Sequence, residues 1–303
     1  MGSKCQPLTL AAGQGDPQGL AVDATSVYWT TFSGGTVMKL PIGGGTPIQL
    51  ASGQDNPNGI AVDGTNVYWA LSGTSATVMK VPIIGGTPTV LASGPGYAAD
   101  IAVDPTSVYW TSMNTSSGTL SEAPIQGGVS TVLVTAQSPS GAALRHIALD
   151  ATSIYYWSGV ITPFDGGVGA FGPLGKLPIG GGASTVLASG QVVLGVAVDT
   201  TSVYWTAEML GSPSNGSVMK MPKGGGTQTV LASMQNNPIG IAVDAMNVYW
   251  TASGDGTVMK VPLGGGTPTA VATGQNAPFA LAVDTTSVYW TTLAGGTVMK
   301  IAK

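Results

Sequence analysis

Short apolar runs, each bounded by Gly, Pro, Asn, Asp or Ser, recur along the entire chain. Residues 59–94 show the unit: GIAVD, NVYWA, ATVMKVP and TPTVLASG, four pieces rich in Val, Ile, Tyr, Trp and Thr and separated by turn formers. β-Branched and aromatic residues pack well on a pleated surface, and runs this short between turn signals predict strands. GIAVD is small and apolar up to its last residue, as a strand covered on both faces should be. TPTVLASG carries proline and threonine, which suit an outer edge strand that must not pair further.

The unit repeats. Its anchor is Ala-Val-Asp or Ala-Leu-Asp followed five residues later by tyrosine: Asp23 and Tyr28, Asp63 and Tyr68, Asp104 and Tyr109, Asp150 and Tyr155, Asp199 and Tyr204, Asp244 and Tyr249, Asp284 and Tyr289. Successive aspartates lie 40, 41, 46, 49, 45 and 40 residues apart. Four short strands with their turns fill such an interval, and four-stranded units repeated at about 40 residues mark a β-propeller. The expected fold class is all-β, a seven-bladed β-propeller of four-stranded antiparallel blades. The last copy ends at GTVMKIAK without a fourth strand, whereas PLTLAAG at 7–13 matches PIQLASG at 47–53. The N-terminal strand is therefore expected to complete the last blade and close the ring. On this reading 1–303 is a single domain, with 1–6 a tag or linker and 7–13 the outer strand of the last blade.

The runs Tyr28-Trp29-Thr30, Tyr109-Trp110-Thr111 and Tyr289-Trp290-Thr291, together with the GIAVD-type strands, resemble seven-bladed propellers of the YWTD and NHL type, a group that also includes the bacterial streptogramin B lyases. The likeness covers nearly the whole chain. Where the YWTD motif has aspartate, this chain has Thr31, Leu71, Ser112, Ala207, Ala252 or Thr292. The resemblance thus implies the architecture and transfers no receptor function. From the lyases it implies a histidine and an acid at the channel mouth working with magnesium. From calcium-dependent propeller hydrolases it implies several inward Asp, Glu and Asn side chains, of which Asp100 and Asn58 are the only candidates.

With 8% charged and 43% apolar residues, the composition is that of a folded chain. A net charge of -4 with ten scattered basic residues leaves no footprint for nucleic acid. No apolar run is long enough for a transmembrane helix. The single cysteine, Cys5, excludes an internal disulfide. Standing just ahead of the first repeat, it fits the acylated cysteine of an exported bacterial lipoprotein, and Met1-Gly2-Ser3 fits an expression scar in place of a signal peptide. A secreted, periplasmic or lipid-anchored location and a monomeric state are the corresponding expectations.

Shared features have structural roles. Each Ala-Val-Asp aspartate precedes a turn whose backbone N–H groups its side chain can accept. The Tyr-Trp pairs alternate across the second strand and are expected to fill the contacts between blades. Glycine triplets at 43–45, 180–182, 224–226 and 264–266 lack the Lys-Ser/Thr of a phosphate loop and read as hairpin turns. Lys39, Lys80, Lys176, Lys220, Lys260 and Lys300 recur on the third strand, with Glu122 at that place in the third repeat, and are expected as solvated ends or over aromatic rings. Asn114 and Asn215 head glycosylation sequons.

Departures from the repeat are where a specific site is expected. The residue four before the anchor aspartate is Gly19, Gly59, Asp100, His146, Gly195, Gly240 and Ala280 in turn. Arg145 and His146, the chain's only arginine and only histidine, therefore stand where most repeats have glycine, in the repeat next to Asp100. The longest insertion, 158–175, lies in the same repeat and brings Val160, Ile161, Phe164, Asp165 and Phe171; the next repeat adds Glu208, Met209 and Leu210. Two readings stand. In one, a top-face pocket at blades 3–5 binds a small molecule, glycan or peptide through Arg145, His146, Asp100, Phe164, Asp165, Phe171, Glu208 and Met209. In the other, the same pocket is an enzyme, a lyase or metal-assisted hydrolase, with His146 as general base, Asp100 orienting it and Glu208 as acid. Binding alone requires no cofactor; the enzyme readings admit Ca or Mg in the central channel. A passive scaffold that binds protein through its symmetric surface is the third possibility.

Overall fold

The structure, a computed structural model, describes residues 6–137, 142–164, 167–209 and 212–303; the side chains of 142, 160–164, 167–171, 209, 212 and 213 lie outside the described set. All regular secondary structure among the described residues is β-strand, arranged as five four-stranded antiparallel sheets and one of seven strands. The first sheet takes Pro17–Val22, Ser26–Thr31, Thr36–Pro41 and Ile48–Ala51 in chain order. In the last, Pro278–Val283, Ser287–Thr292 and Thr297–Ala302 are completed by Leu8–Ala11, with Leu8 opposite Lys300.

The seven-stranded sheet holds the fourth and fifth repeats together. One long strand, Thr185–Val198, serves both: it pairs with Gly167–Pro178 through Thr185 to Gln191 and with Ser202–Met209 from Val192 onward. The insertion expected as a loop over the fourth repeat is instead an extension of the sheet. Ser153–Phe164 and Gly167–Pro178 form one hairpin whose ladder runs out to the pair Phe164 and Gly167. Val160, Ile161, Thr162 and Phe164 supply a run of strand formers on the outgoing arm, although glycine and proline are as frequent in the insertion as a whole.

The repeated residues explain why the strands turn where they do. Oδ1 of Asp23 accepts the N–H groups of Thr25 (2.7 Å) and Ser26 (2.8 Å), while Oδ2 accepts the hydroxyl of Tyr28 at 2.8 Å. The same set recurs in each repeat, as at Asp63 with Thr65, Asn66 and Tyr68. The five-residue spacing thus lets one carboxylate hold a hairpin and satisfy a buried phenol. On its other side each tyrosine packs against the next repeat: Tyr28 shares a core with Trp69, Tyr68 with Trp110, and Tyr289 with Trp29. Five tryptophans donate their indole N–H to a glutamine side chain, as Trp29 does to Gln14 (2.9 Å) and Trp69 to Gln54 (3.0 Å), both just past an outer strand, and Trp205 to Gln191 (2.7 Å) within Thr185–Val198.

The lysines do more than solvate a strand end. Lys39 Nζ donates to the carbonyl of Ile83 at 2.9 Å, Lys80 to that of Ile125 at 2.6 Å, Lys220 to that of Leu263 at 2.9 Å and Lys300 to that of Ile42 at 3.1 Å, each reaching into the following repeat. Lys39, Lys176, Lys220 and Lys300 also lie 5.4 to 5.8 Å above the tyrosine of their own repeat.

Candidate functional site

The first strand of every repeat carries a bulge. Register slips between Pro17 and Leu20, between Ala98 and Ile101, between Arg145 and Ile147, and likewise in the other four. In a regular strand successive side chains face opposite ways; an extra residue breaks that alternation and bends the strand. Two or three consecutive residues from each first strand consequently line one cavity of about 360 Å³: Gln18 and Gly19, Asn58 and Gly59, Ala99 and Asp100, Arg145 and His146, Leu194 and Gly195, Ile239 and Gly240, Phe279 and Ala280, with Leu20, Ile60, Val196, Ile241 and Leu281 following in five of them.

At the second position of the pair glycine, or alanine at Ala280, answers a close backbone approach. A Cβ on Gly19 would stand 2.3 Å from the carbonyl oxygen of Asn58, and one on Gly240 would stand 2.3 Å from that of Phe279. The threonine of the Tyr-Trp-Thr run fixes this close approach. Thr30 Oγ1 accepts the N–H of Gly19 at 2.9 Å and donates to Asn58 O at 2.6 Å, and Thr251 does the same between Gly240 and Phe279.

His146 and Asp100 break the glycine rule in different ways. His146 takes φ +51°, the left-handed region that side-chain-bearing residues enter at a cost of about 1–3 kcal/mol. Asp100 turns its carboxylate onto backbone: Oδ1 accepts the N–H of Ile101 at 2.9 Å, and Oδ2 accepts that of Ile147, one repeat on, at 3.0 Å. Burial pushes the Asp100 carboxyl up, with these two bonds opposing it. Burial, aided by the neighbouring Arg145 charge, holds the His146 imidazole down to about 3, so it is neutral across the physiological range. Arg145 is exposed overall; local desolvation lowers its guanidinium, whose hydrogen bond runs from Nη2 to the thioether of Met113 at 3.5 Å.

The structure therefore brings Asp100, Arg145 and His146 to one cavity wall without joining them as a dyad: Asp100 bonds to the backbone beside His146, not to the imidazole. Glu208 is half-buried, its carboxyl pushed up by burial, and is not among the lining residues. Asp165 and the side chains of Phe164, Phe171 and Met209 lie outside the described residues, as do Cys5, Leu210 and the side chains of Val160 and Ile161. Among the described residues no three His, Cys, Asp or Glu gather as a metal site. Sequence reasoning named Asn58 as an inward candidate and passed over Gln18, Leu194, Ile239 and Phe279, which share its column. Their signal was present: each stands five residues before its anchor aspartate, in the column that also holds Arg145.

Among solved structures, the chain superposes on virginiamycin B lyase from Staphylococcus aureus with a TM-score of 0.72, at 14% identity, over 99% of either chain. A streptogramin B lyase structure gives 0.70 at 14% identity, covering 98% of this chain and 96% of that one. The chain is a β-propeller. Hydrazine synthase of Kuenenia stuttgartiensis, at TM-score 0.72, 14% identity and coverage of 100% and 98%, shares this propeller architecture. No family model matches the chain, and no curated protein does. At such identities the likeness speaks for the propeller alone, and the chemistry has to be argued from this chain's own cavity.

Proposed function

We propose that the protein is a seven-bladed propeller, closed by its N-terminal strand, that binds a small ligand in its central cavity. The seven-blade reading is supported by the double use of Thr185–Val198, which divides the seven-stranded sheet into two repeats, and by the pairing of Leu8–Ala11 with the C-terminal strand. The observation that carries the binding reading is the cavity wall: first strands of all seven repeats contribute, and only two of them replace the small residue at the close-approach position with Asp100 and a left-handed His146. Two unlike side chains at that position in an otherwise repetitive wall, next to a cation that meets no carboxylate among the described residues, favour use over folding.

Binding is favoured over general-base catalysis. An imidazole held to about 3 is a weak proton acceptor at neutral pH, and among the described residues no carboxylate is bonded to its ring. The virginiamycin B lyase and streptogramin B lyase likenesses keep an enzyme as the alternative. An extracytoplasmic setting, with Cys5 as a lipid anchor, belongs to the same proposal.

A fragment screen by ligand-observed NMR tests it, run on the wild type and on His146→Gly. Hits that weaken or vanish in the variant are the expected result. An absence of hits, or hits indifferent to the variant, would overturn the cavity as a binding site.

A further inference from the structure

The cavity has two unlike halves. Repeats 1 to 4 present Gln18, Asn58, Asp100, Arg145 and His146, beside the apolar Leu20, Ile60 and Met113, whereas the lining of repeats 5 to 7 is apolar or glycine throughout, with Leu194, Ile239 and Phe279 at the bulge positions. The two opposite charges on the polar half are not paired with each other among the described residues. Asp100 is the only acid on the wall among the described residues, and each of its oxygens already accepts a backbone N–H. Arg145 is the only cation there among the described residues, and its bond goes to a neutral thioether. Elsewhere the described lysines with hydrogen bonds meet backbone carbonyls or, at Lys223 and Lys303, the carboxylates of Asp150 and Asp244.

From this we infer that the ligand is a small amphipathic anion, an aryl or alkyl carboxylate, with its carboxylate on Arg145 and its apolar body against Leu194, Ile239 and Phe279. The inference rests on the binding reading above and gives that site its ligand class. A guanidinium matches a carboxylate by two parallel N–H bonds, and charge-assisted bonds of this kind are about twice as strong as neutral ones. The bulge contributes by placing Arg145 and His146 on the same wall, where a regular strand would turn one of them away. His146, uncharged, adds a hydrogen-bonding nitrogen without a second cation. The cavity admits a ring or a short chain and is too small for a polymer, since drug-sized sites run from roughly 300 to 1,000 Å³.

Matched acid and amide probes separate charge from shape. Benzoate and benzamide, phenylacetate and phenylacetamide, and butyrate and butyramide are titrated into the intact protein by ligand-observed NMR at low salt. At least one carboxylate is expected to bind about fivefold or more tightly than its amide, roughly 1 kcal/mol. Arg145→Gln should erase that preference while leaving amide binding in place, and Phe279→Ala should weaken both members of the pair. Acids and amides that bind equally would overturn the anion assignment and leave the binding reading standing. If none of the six probes binds, the anion assignment falls; if the fragment screen is also empty, the binding reading falls with it.

Discussion

The carboxylate of Asp100 accepts the backbone N–H of Ile147 at 3.0 Å, fastening the first strand of the third repeat to that of the fourth immediately beside His146. Elsewhere this join is made by a threonine hydroxyl and a carbonyl, as from Thr30 to Asn58. Asp100→Ala removes the acceptor of two N–H groups. It is expected to cost about 2 kcal/mol, the scale of hydrogen bonds to a charged group less the burial of that charge. Asp100→Asn, which keeps one acceptor oxygen, should lose about half as much. Urea unfolding midpoints read both, and an unchanged midpoint in Asp100→Ala would remove the clasp from the account.

The His146 imidazole offers a test by proton. Its folded value of about 3 lies below the ordinary 6.5. The unfolded chain therefore binds the proton first, and the stability gained by keeping the ring neutral is complete above about pH 6.5 and lost as pH falls toward about 3. The ring resonances of the native protein are expected to stay flat from pH 8 down to about 5, whereas an exposed histidine would titrate in the middle of that range. His146→Gly should match or exceed the wild type in thermal midpoint, because glycine adopts φ +51° freely.

Carboxylates at the hairpins act in a lower window. Burial pushes the Asp244 carboxyl up, but Lys303, the N–H groups of Met246 and Asn247 and the hydroxyl of Tyr249 outweigh it and bring it down to about 2 from 3.8. A depressed acid gives its full stabilisation above the unfolded value and loses it as pH falls through the folded one, here between about pH 4 and 2. Asp244→Asn is expected to flatten the fall of the urea midpoint across that window and to lower it by about 1 kcal/mol at neutral pH.

Much of this was legible in the sequence. Strand composition, the Asp-to-Tyr spacing and the missing last strand each rest on local rules, and the structure bears out the antiparallel four-stranded sheets, the turn aspartates and the aromatic cores between repeats. The insertion of the fourth repeat misled, since its length and its many glycines and prolines read as a loop while the backbone continues the ladder out to Phe164 and Gly167. The cavity wall was half legible. Counting four residues back from each aspartate found Asp100 and His146, but pleat alternation hides the fifth; only the bulge turns Gln18, Leu194 and Phe279 inward with them. The indole acceptors, such as Gln54 for Trp69, lie fifteen residues from their partners, beyond the reach of any local pattern.

Met234 supplies a stability test far from the cavity. It sits at φ +55°, where the equivalent residues are Gly13 at +67°, Gly53 at +63°, Gly190 at +76° and Gly274 at +69°, and its side chain is 78% exposed. Nothing is lost by removing it, and glycine enters this conformation without strain. Met234→Gly is expected to add about 1 kcal/mol, a rise of roughly 2–4 °C in the thermal midpoint. Gly274→Ala, the reverse change at an equivalent site, should lower it.

The lysine bonds carry an implication for how the chain can be wired. Lys300 grips Ile42 as Lys39 grips Ile83, so the junction between last and first repeats is bolted by the same contact as an interior one. Peptide connectivity is then one of several interchangeable routes through a single set of contacts. A chain opened at the exposed glycines 43–45, with its old ends tethered, should reassemble the same architecture from a different starting repeat.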